Sequence, residues 1–422
     1  MLDTGSLINN LWVLGAALLV FLMTIAVGFL EVGELGDSFS RSLFKTILIT
    51  GTALFVMAFV GFNIAFAPAI GGFIGNPFYN GIFLGGFSGS VNSVWWSMTS
   101  SYFNTGLTTS TYFFFETAFA AVTLALVSVV VLKKMKMRAF MLYSVVYFII
   151  IWTLPAAWIW NPTGWLYKIG MRDFAGGLVV HGAAAAAGLG ILYQIWREER
   201  KKGYKKSPQV SIKLNQGWLT LSILLLWLGW FGFNPGSVLA FNESTMTVVI
   251  TTFLAAASGM LSTLFFRYID SGNTDIIYDI DGILMGLIII TPLAGFVSPA
   301  SAVILGLIGG PLFVYGSKWF SKQKWFSDPI GLLPGHLLGG LFGVAMIAFF
   351  TQHAFAVASG NPTLPNGLLF GGGYAAITQF GIEIFGVVVV MVTVFLLSFI
   401  TAAIIAWLMN GITGNYKTSG RR

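Results

Sequence analysis

The segment FAGGLVVHGAAAAAGLGILYQIW, residues 174–196, runs directly into REERKKGYKKSPQVSIK, residues 197–213. The first segment holds one histidine, His181, and no Asp, Glu, Lys or Arg in 23 residues. A helix needs roughly 20 mostly apolar residues to cross a bilayer, so 174–196 reads as a transmembrane span. The second segment carries seven Lys and Arg. Basic residues collect in loops on the cytoplasmic side of a membrane, so this loop fixes the direction in which the span runs.

The same alternation covers the whole chain. Of 422 residues, 56% are hydrophobic and 9% are charged, whereas soluble domains carry about 25% charge. A soluble fold of this size could not cover its surface with so few charges, so lipid is the solvent for most of it. Eleven spans are expected, at about 9–32, 43–68, 113–132, 139–160, 174–196, 215–235, 245–267, 282–297, 299–317, 331–351 and 383–409. They make an all-α membrane domain over 1–409, followed by a short cytoplasmic tail, 410–422. Of the 22 basic residues, 20 fall in alternate loops and the tail. These are Arg41 and Lys45, Lys133 to Arg138, Arg197 to Lys213, Arg267, Lys318 to Lys324, and Lys417, Arg421 and Arg422. The opposite loops hold only Lys168 and Arg172. The N-terminus is therefore expected outside and the C-terminus inside, a parity that requires an odd number of spans. No basic run precedes the first apolar stretch, so no cleaved signal peptide is expected. The formal charge of +7 belongs to this loop pattern and does not imply nucleic acid. With no cysteine in the chain, disulfides, thiolate metal sites and cysteine nucleophiles are excluded.

Two segments share a spacing. Asp173 lies eight residues before His181 at the start of the fifth span, and Asp328 lies eight before His336 at the start of the tenth. A glycine follows each histidine by seven residues, Gly188 and Gly343. Five spans separate the copies, so they run in opposite directions. That is the pattern of an inverted repeat, with halves of about 9–196 and 215–351 and an added eleventh helix. Eight helical residues rise about 12 Å, which brings both histidines near the middle of a hydrocarbon core about 30 Å thick. An ionisable side chain there is costly unless it meets a cavity or a partner. Two readings stay open: separate core histidines, each bonded to a backbone carbonyl, or a facing pair along one path. The matched depth favours the pair. The third histidine, His353, reads as an ordinary loop residue.

Aromatic residues converge on one end. Phe115 and Phe119 are four apart on the third span and share a face. Trp160 ends the fourth span, and Phe233 closes the sixth. Pro235 and Gly236 should break that span and turn Ser237 into a vestibule. With Asp173, all are expected at one depth above the histidines. Trp158 and Trp165 read as interfacial anchors. Aromatic faces attract cations, most where water is thinned, so the mouth suits a small monovalent cation.

These residues resemble the ammonium transporter family, in its Amt/Mep branch. The resemblance is carried by Asp173-Phe-Ala-Gly-Gly-Leu-Val-Val-His181, Gly229-Trp-Phe-Gly-Phe-Asn-Pro-Gly-Ser237, Asp328-Pro with Gly335-His336, Phe115-Glu-Thr-Ala-Phe119 and Gly286-Leu-Ile-Ile-Ile-Thr-Pro292. It implies eleven helices and a role for each residue. Trp160, Ser237 and Phe115 would recruit ammonium, with Asp173 behind them holding the geometry. Phe119 and Phe233 would close the pore, and His181 and His336 would line it. It also implies a homotrimer in the cell membrane with one pore per subunit. No cofactor, no metal and no enzymatic activity is implied.

The chain departs from the family's pattern in three places. Glu116 stands where a glutamine is usual. The segment from Glu31 to Lys45 is atypical. The tail is short, and a longer tail is what contacts P-II regulatory proteins, so that partner is not expected. Three rival readings stand beside it: a sensor of the same fold, an unrelated transporter of a polar organic substrate, and a metal-dependent membrane enzyme. Two histidines without a third ligand make a poor zinc site.

Overall fold

The computed structural model describes residues 3–36, 38–77, 79, 106–131, 133–210, 213–273, 276–328 and 331–414. Lys417, Arg421 and Arg422, and most of the outer loop expected at 69–112, lie outside the described residues. Among the described residues, ten helices are long and apolar enough to cross a membrane: α1 Thr4–Leu35, α2 Phe39–Phe66, α3 Thr109–Val131, α4 Met137–Ile159, α5 Gly177–Lys201, α6 Gln216–Gly236, α7 Glu243–Ser271, α9 Pro299–Ser321, α10 Leu333–Phe350 and α11 Gly373–Leu408. The shorter apolar helix α8, Ile276–Ile290, lies between α7 and α9. A two-stranded antiparallel hairpin pairs Ala69 with Gly75 and Ile70 with Ile74.

Local chemistry sets the ends. α1 begins at Asp3, whose carboxylate accepts from the Ser6 N–H at 2.7 Å, meeting one of the donors that a helix start leaves unpaired. It ends at Gly36, left-handed at φ +58, the residue type that closes helices most cheaply. Several basic residues expected in loops are helical instead, because the helices outrun their apolar cores. Lys45 is the plainest correction. It lies within α2, buried, and pairs with Glu31 of α1. The eighth span is shorter than the apolar run 282–297. Its helix stops at Ile290 because Pro292 cannot continue it, and residues 291–296 form turns. The eleventh starts ten residues early, at Gly373 rather than 383.

Packing separates centre from rim. The apolar window of α3 is 94% buried and that of α5 89%, against 33% for α11. α3 and α5 are thus core elements, and α11 turns most of its apolar surface outward, as a lipid-facing helix must. α1 lies along α6 and α3, α7 along α8 and α9, and α11 along α5. Wide π turns interrupt α2, α4, α5 and α10, at Met57–Gly61, Tyr147–Ile151, Gly177–Gly182 and Leu333–Leu338. Such turns gather at functional sites, and the last two contain His181 and His336.

Candidate functional site

The start of α5 explains how the first histidine is held. Chain 171–176 is irregular before the helix, and Asp173 spends its whole carboxylate on that helix. Oδ1 accepts from the N–H of Gly176 at 3.1 Å and of Gly177 at 2.7 Å. Oδ2 accepts from Leu178 at 2.8 Å and Val179 at 2.9 Å. Burial pushes this carboxyl up from its usual range, and the four N–H groups pull against that. Gly176 takes φ +108, a conformation that side chains with a Cβ rarely adopt. The broken end of α8 supports the same turn: Thr291 and Pro292 carbonyls accept from Ala175 and Phe174. The tenth helix repeats the device, with two such bonds among the described residues. Asp328 accepts from Leu332 at 3.1 Å and Leu333 at 2.8 Å, and burial pushes it up to about 6.

The two π turns bring the histidines together. His181 Nδ1 and His336 Nδ1 are 2.9 Å apart, so one ring donates a single proton to the other. Two protonated Nδ1 atoms could not approach so closely. The pair is thus a facing pair, and the reading of two separate core histidines is overturned. Close backbone contact makes this possible. A Cβ on Gly340 would lie 2.4 Å from the Gly177 carbonyl oxygen and 3.3 Å from the His181 Cβ. Gly343 is equally tight against Ile289 O, whereas Gly188 meets only ordinary contacts; the second glycine of the repeat has structural meaning in one copy only.

A line of rings leads away from the pair. His181 stacks on Phe233 at 5.7 Å and on Trp230 at 5.8 Å. Phe233 meets Phe119 at 4.4 Å, and Phe119 meets Phe115 at 4.8 Å and the edge of Trp160 at 5.7 Å. Above Phe119 opens a cavity of about 550 Å³, lined by Phe115, Glu116, Phe119, Trp160, Asp173 and Ser237 among others. Below it, a narrow chamber of about 20 Å³ is lined by Phe233, Trp230, His181, His336 and aliphatic side chains, with no Asp, Glu, Lys or Arg among the described residues. A third cavity of about 30 Å³ continues from His336 to Glu34 and Asp281.

Most of the expected site is assembled here, with corrections. Phe233 sits below the common depth expected of the mouth, on the histidine chamber rather than the outer cavity, which is the side on which the resemblance puts it. α6 ends at Gly236 with Ser237 as its cap, where Pro235 and Gly236 were expected to end it, although Pro235 itself is helical. Ser237 still faces the outer cavity, and its Oγ donates to the Phe233 carbonyl at 2.8 Å. Trp158 is buried and donates to Phe73 O at 2.8 Å, so it is a packing residue rather than an interfacial anchor. Trp160 donates to the backbone oxygen of Asp173 at 2.7 Å, which ties the rim to the α5 cap. Glu116 faces the cavity and is 4% exposed. His353 stands apart, its Nδ1 on Leu364 O. Sequence reasoning missed Trp230, whose indole donates to Thr291 Oγ1 at 3.2 Å, and Glu383, which accepts from the Arg172 N–H beside the Asp173 turn. Their signals were an aromatic in an aromatic-rich span and a lone acid in an apolar one. Among the described residues, no group of three or more His, Asp or Glu is placed to hold a metal.

The helices and the buried imidazole pair are those of a multi-pass membrane protein with a polar centre. The chain belongs to the ammonium transporter family: the model of the Ammonium Transporter Family matches residues 11–416. An ammonium transporter of Aquifex aeolicus is 31% identical over 418 residues, covering 98% of this chain and 89% of the relative. One of Bacillus subtilis is 30% identical over 359 residues, 84% and 82% of the two chains. Among solved structures, a Sensor Amt Protein superposes with a TM-score of 0.82 at 25% identity, covering 98% of this chain and 96% of that one. Saccharomyces cerevisiae Mep2 gives 0.81 at 24% identity, with 98% and 91% covered. The Amt/Mep branch anticipated from the motifs is the branch these relatives represent.

Proposed function

We propose that this chain takes up ammonium as a homotrimer in the plasma membrane, with eleven spans, the N-terminus outside, the C-terminus inside and two inverted halves. The observation that carries the reading is the uncharged chamber around a pair of hydrogen-bonded imidazoles. A desolvated ion is costly in such surroundings and a neutral amine is not. Ammonium meets the faces of Trp160 and Phe115 and the Ser237 hydroxyl. Because Ser237 donates its proton to Phe233 O, its lone pairs remain to accept an N–H of the ion. Phe119 and Phe233 exclude water below this point. The ion passes its proton to water of the outer cavity at or above them, and ammonia passes along the histidines. His181 Nε2 is buried without a partner among the described residues, and it offers the passing molecule a hydrogen bond. The proton crosses by its own route, so one net charge moves. Asp173 acts from behind, holding the α5 start and, through its carbonyl, Trp160.

The test is current across a supported membrane on adding ammonium or potassium. Wild type is expected to respond to ammonium alone, and His181→Ala and His336→Ala to lose that selectivity while remaining folded. Selectivity like wild type in both variants refutes the role of the pair. Similarity to a Sensor Amt Protein makes sensing the second reading, and a folded wild type that passes no current would favour it.

A further inference from the structure

The third cavity holds groups for which the conduction path, as described so far, has no use. It shares Leu30, Leu126, Leu284 and His336 with the histidine chamber, so one lane continues from the pair to Glu34 and Asp281. Glu34 is 5% exposed, lines this cavity, and its Oε2 has no hydrogen-bond partner among the described residues. It lies one residue before Leu35, whose carbonyl accepts from Lys133 at 2.8 Å, which puts it at the end of the molecule that bears the basic loops.

The neighbouring charges are otherwise engaged. Lys45 is paired with Glu31. Asp328 spends both oxygens on the start of α10. Lys133 is held on a backbone carbonyl. Arg267 acts electrostatically on Asp281. Glu34 thus presents a bare acceptor to a lane that starts at His336. A buried carboxyl oxygen without a donor is disfavoured, and a small cation rich in N–H groups would relieve it.

We propose that Glu34, backed by Asp281, forms an inner binding site for ammonium, on the far side of the histidine pair from Trp160. The ion is held by N–H···O⁻ bonds to Glu34 rather than by aromatic faces. The site sets how ammonium engages the pore from the inner face, and it takes its substrate from the conduction reading.

The experiment measures the concentration dependence of ammonium currents driven from each face in vesicles of defined orientation, for wild type, Glu34→Gln, Glu34→Asp and Asp281→Asn. Loss of one charged acceptor should raise the apparent KM at the inner face about tenfold in Glu34→Gln. The outer-face KM should stay within about twofold of wild type, and Glu34→Asp should fall between. An unchanged inner-face KM in Glu34→Gln overturns the site, as does an equal change at both faces. If Glu34→Gln is not monodisperse in detergent, Asp281→Asn carries the same comparison, with an inner-face rise supporting the site and no rise overturning it. A wild type that conducts while its variants match it defeats only the inner site; a wild type silent at both faces defeats the conduction reading and the inner site together.

Discussion

Replacing Asp173 should cost stability before it costs chemistry. Its two oxygens accept four backbone N–H groups at 2.7 to 3.1 Å, the donors that the start of α5 would otherwise leave unpaired in a buried place. Asparagine keeps one oxygen, which can serve two of them. Its amide nitrogen then faces the other two, donor against donor. Each buried donor left without a partner costs about 1–3 kcal/mol, so Asp173→Asn should lose about 2–6 kcal/mol. Asp173→Ala leaves all four, about 4–12 kcal/mol, which approaches the whole stability of a typical domain at about 5–15 kcal/mol.

The assays are thermal unfolding of the detergent-solubilised protein and amide exchange at 176–179. Asp173→Asn should melt lower by roughly 2–7 °C and exchange faster at those four amides. Asp173→Ala should fail to accumulate as a folded protein. Because Trp160 donates to the Asp173 carbonyl, recruitment of ammonium by the surviving Asn variant should weaken as well. An Ala variant with wild-type melting and wild-type exchange would show that the cap contributes nothing, and would leave only an electrostatic role for Asp173.

Two further outcomes test the lane above and beside the pair. Gly340→Ala puts a methyl 2.4 Å from Gly177 O and 3.3 Å from the His181 Cβ; overpacking of this kind costs about 1–3 kcal/mol, and parting α5 from α10 should lower the ammonium-to-potassium current ratio, so a wild-type ratio and melting point would refute the close-contact argument. Trp160→Leu should raise the apparent KM for outer ammonium about fivefold, and an unchanged concentration dependence would reduce Trp160 to a support for the Asp173 turn.

Much of this site was legible because its parts are local. The eight-residue step from Asp173 to His181 contains a cap, a left-handed glycine and a histidine one π turn inside the helix, all within one segment. The Phe115 and Phe119 spacing likewise fixes a shared face before any tertiary contact exists. What could not be read were the places where distant segments answer one another. The span at 282–297 looks continuous in composition, yet it breaks after Ile290 so that Thr291 and Pro292 can serve the Asp173 turn. Lys45 looked like a loop charge because its partner, Glu31, is on another helix. Phe233 lies below the common depth expected of the mouth because its ring packs on His181 rather than on the outer cavity, a contact made by a distant segment. Glu34 stood in a stretch flagged only as atypical; its place beside His336 depends on α8 and α10 as much as on α1.

The two copies of the Asp-to-His segment are duplicated in spacing but not in surroundings, and the difference bears on how a neutral pair could serve a cation. Around Asp173 every carboxylate oxygen is consumed by backbone N–H groups, and the groups left facing the outer cavity include aromatic faces, a hydroxyl and the buried Glu116. Around Asp328, among the described residues, two N–H bonds are made, and two further acids, Glu34 and Asp281, share the lane. Between them the chamber holds no charged side chain among the described residues. In the proposed mechanism the ion's charge is therefore met at the ends and never in the middle, by π and hydroxyl contacts with the acid Glu116 beside them on one side and by the two acids Glu34 and Asp281 on the other. A carboxylate holds a desolvated cation more strongly than a ring face does. The inner end should accordingly retain ammonium longer than the outer end. That asymmetry arises from α1 and α8, which contribute Glu34 and Asp281, and not from the duplicated segments that carry the histidines.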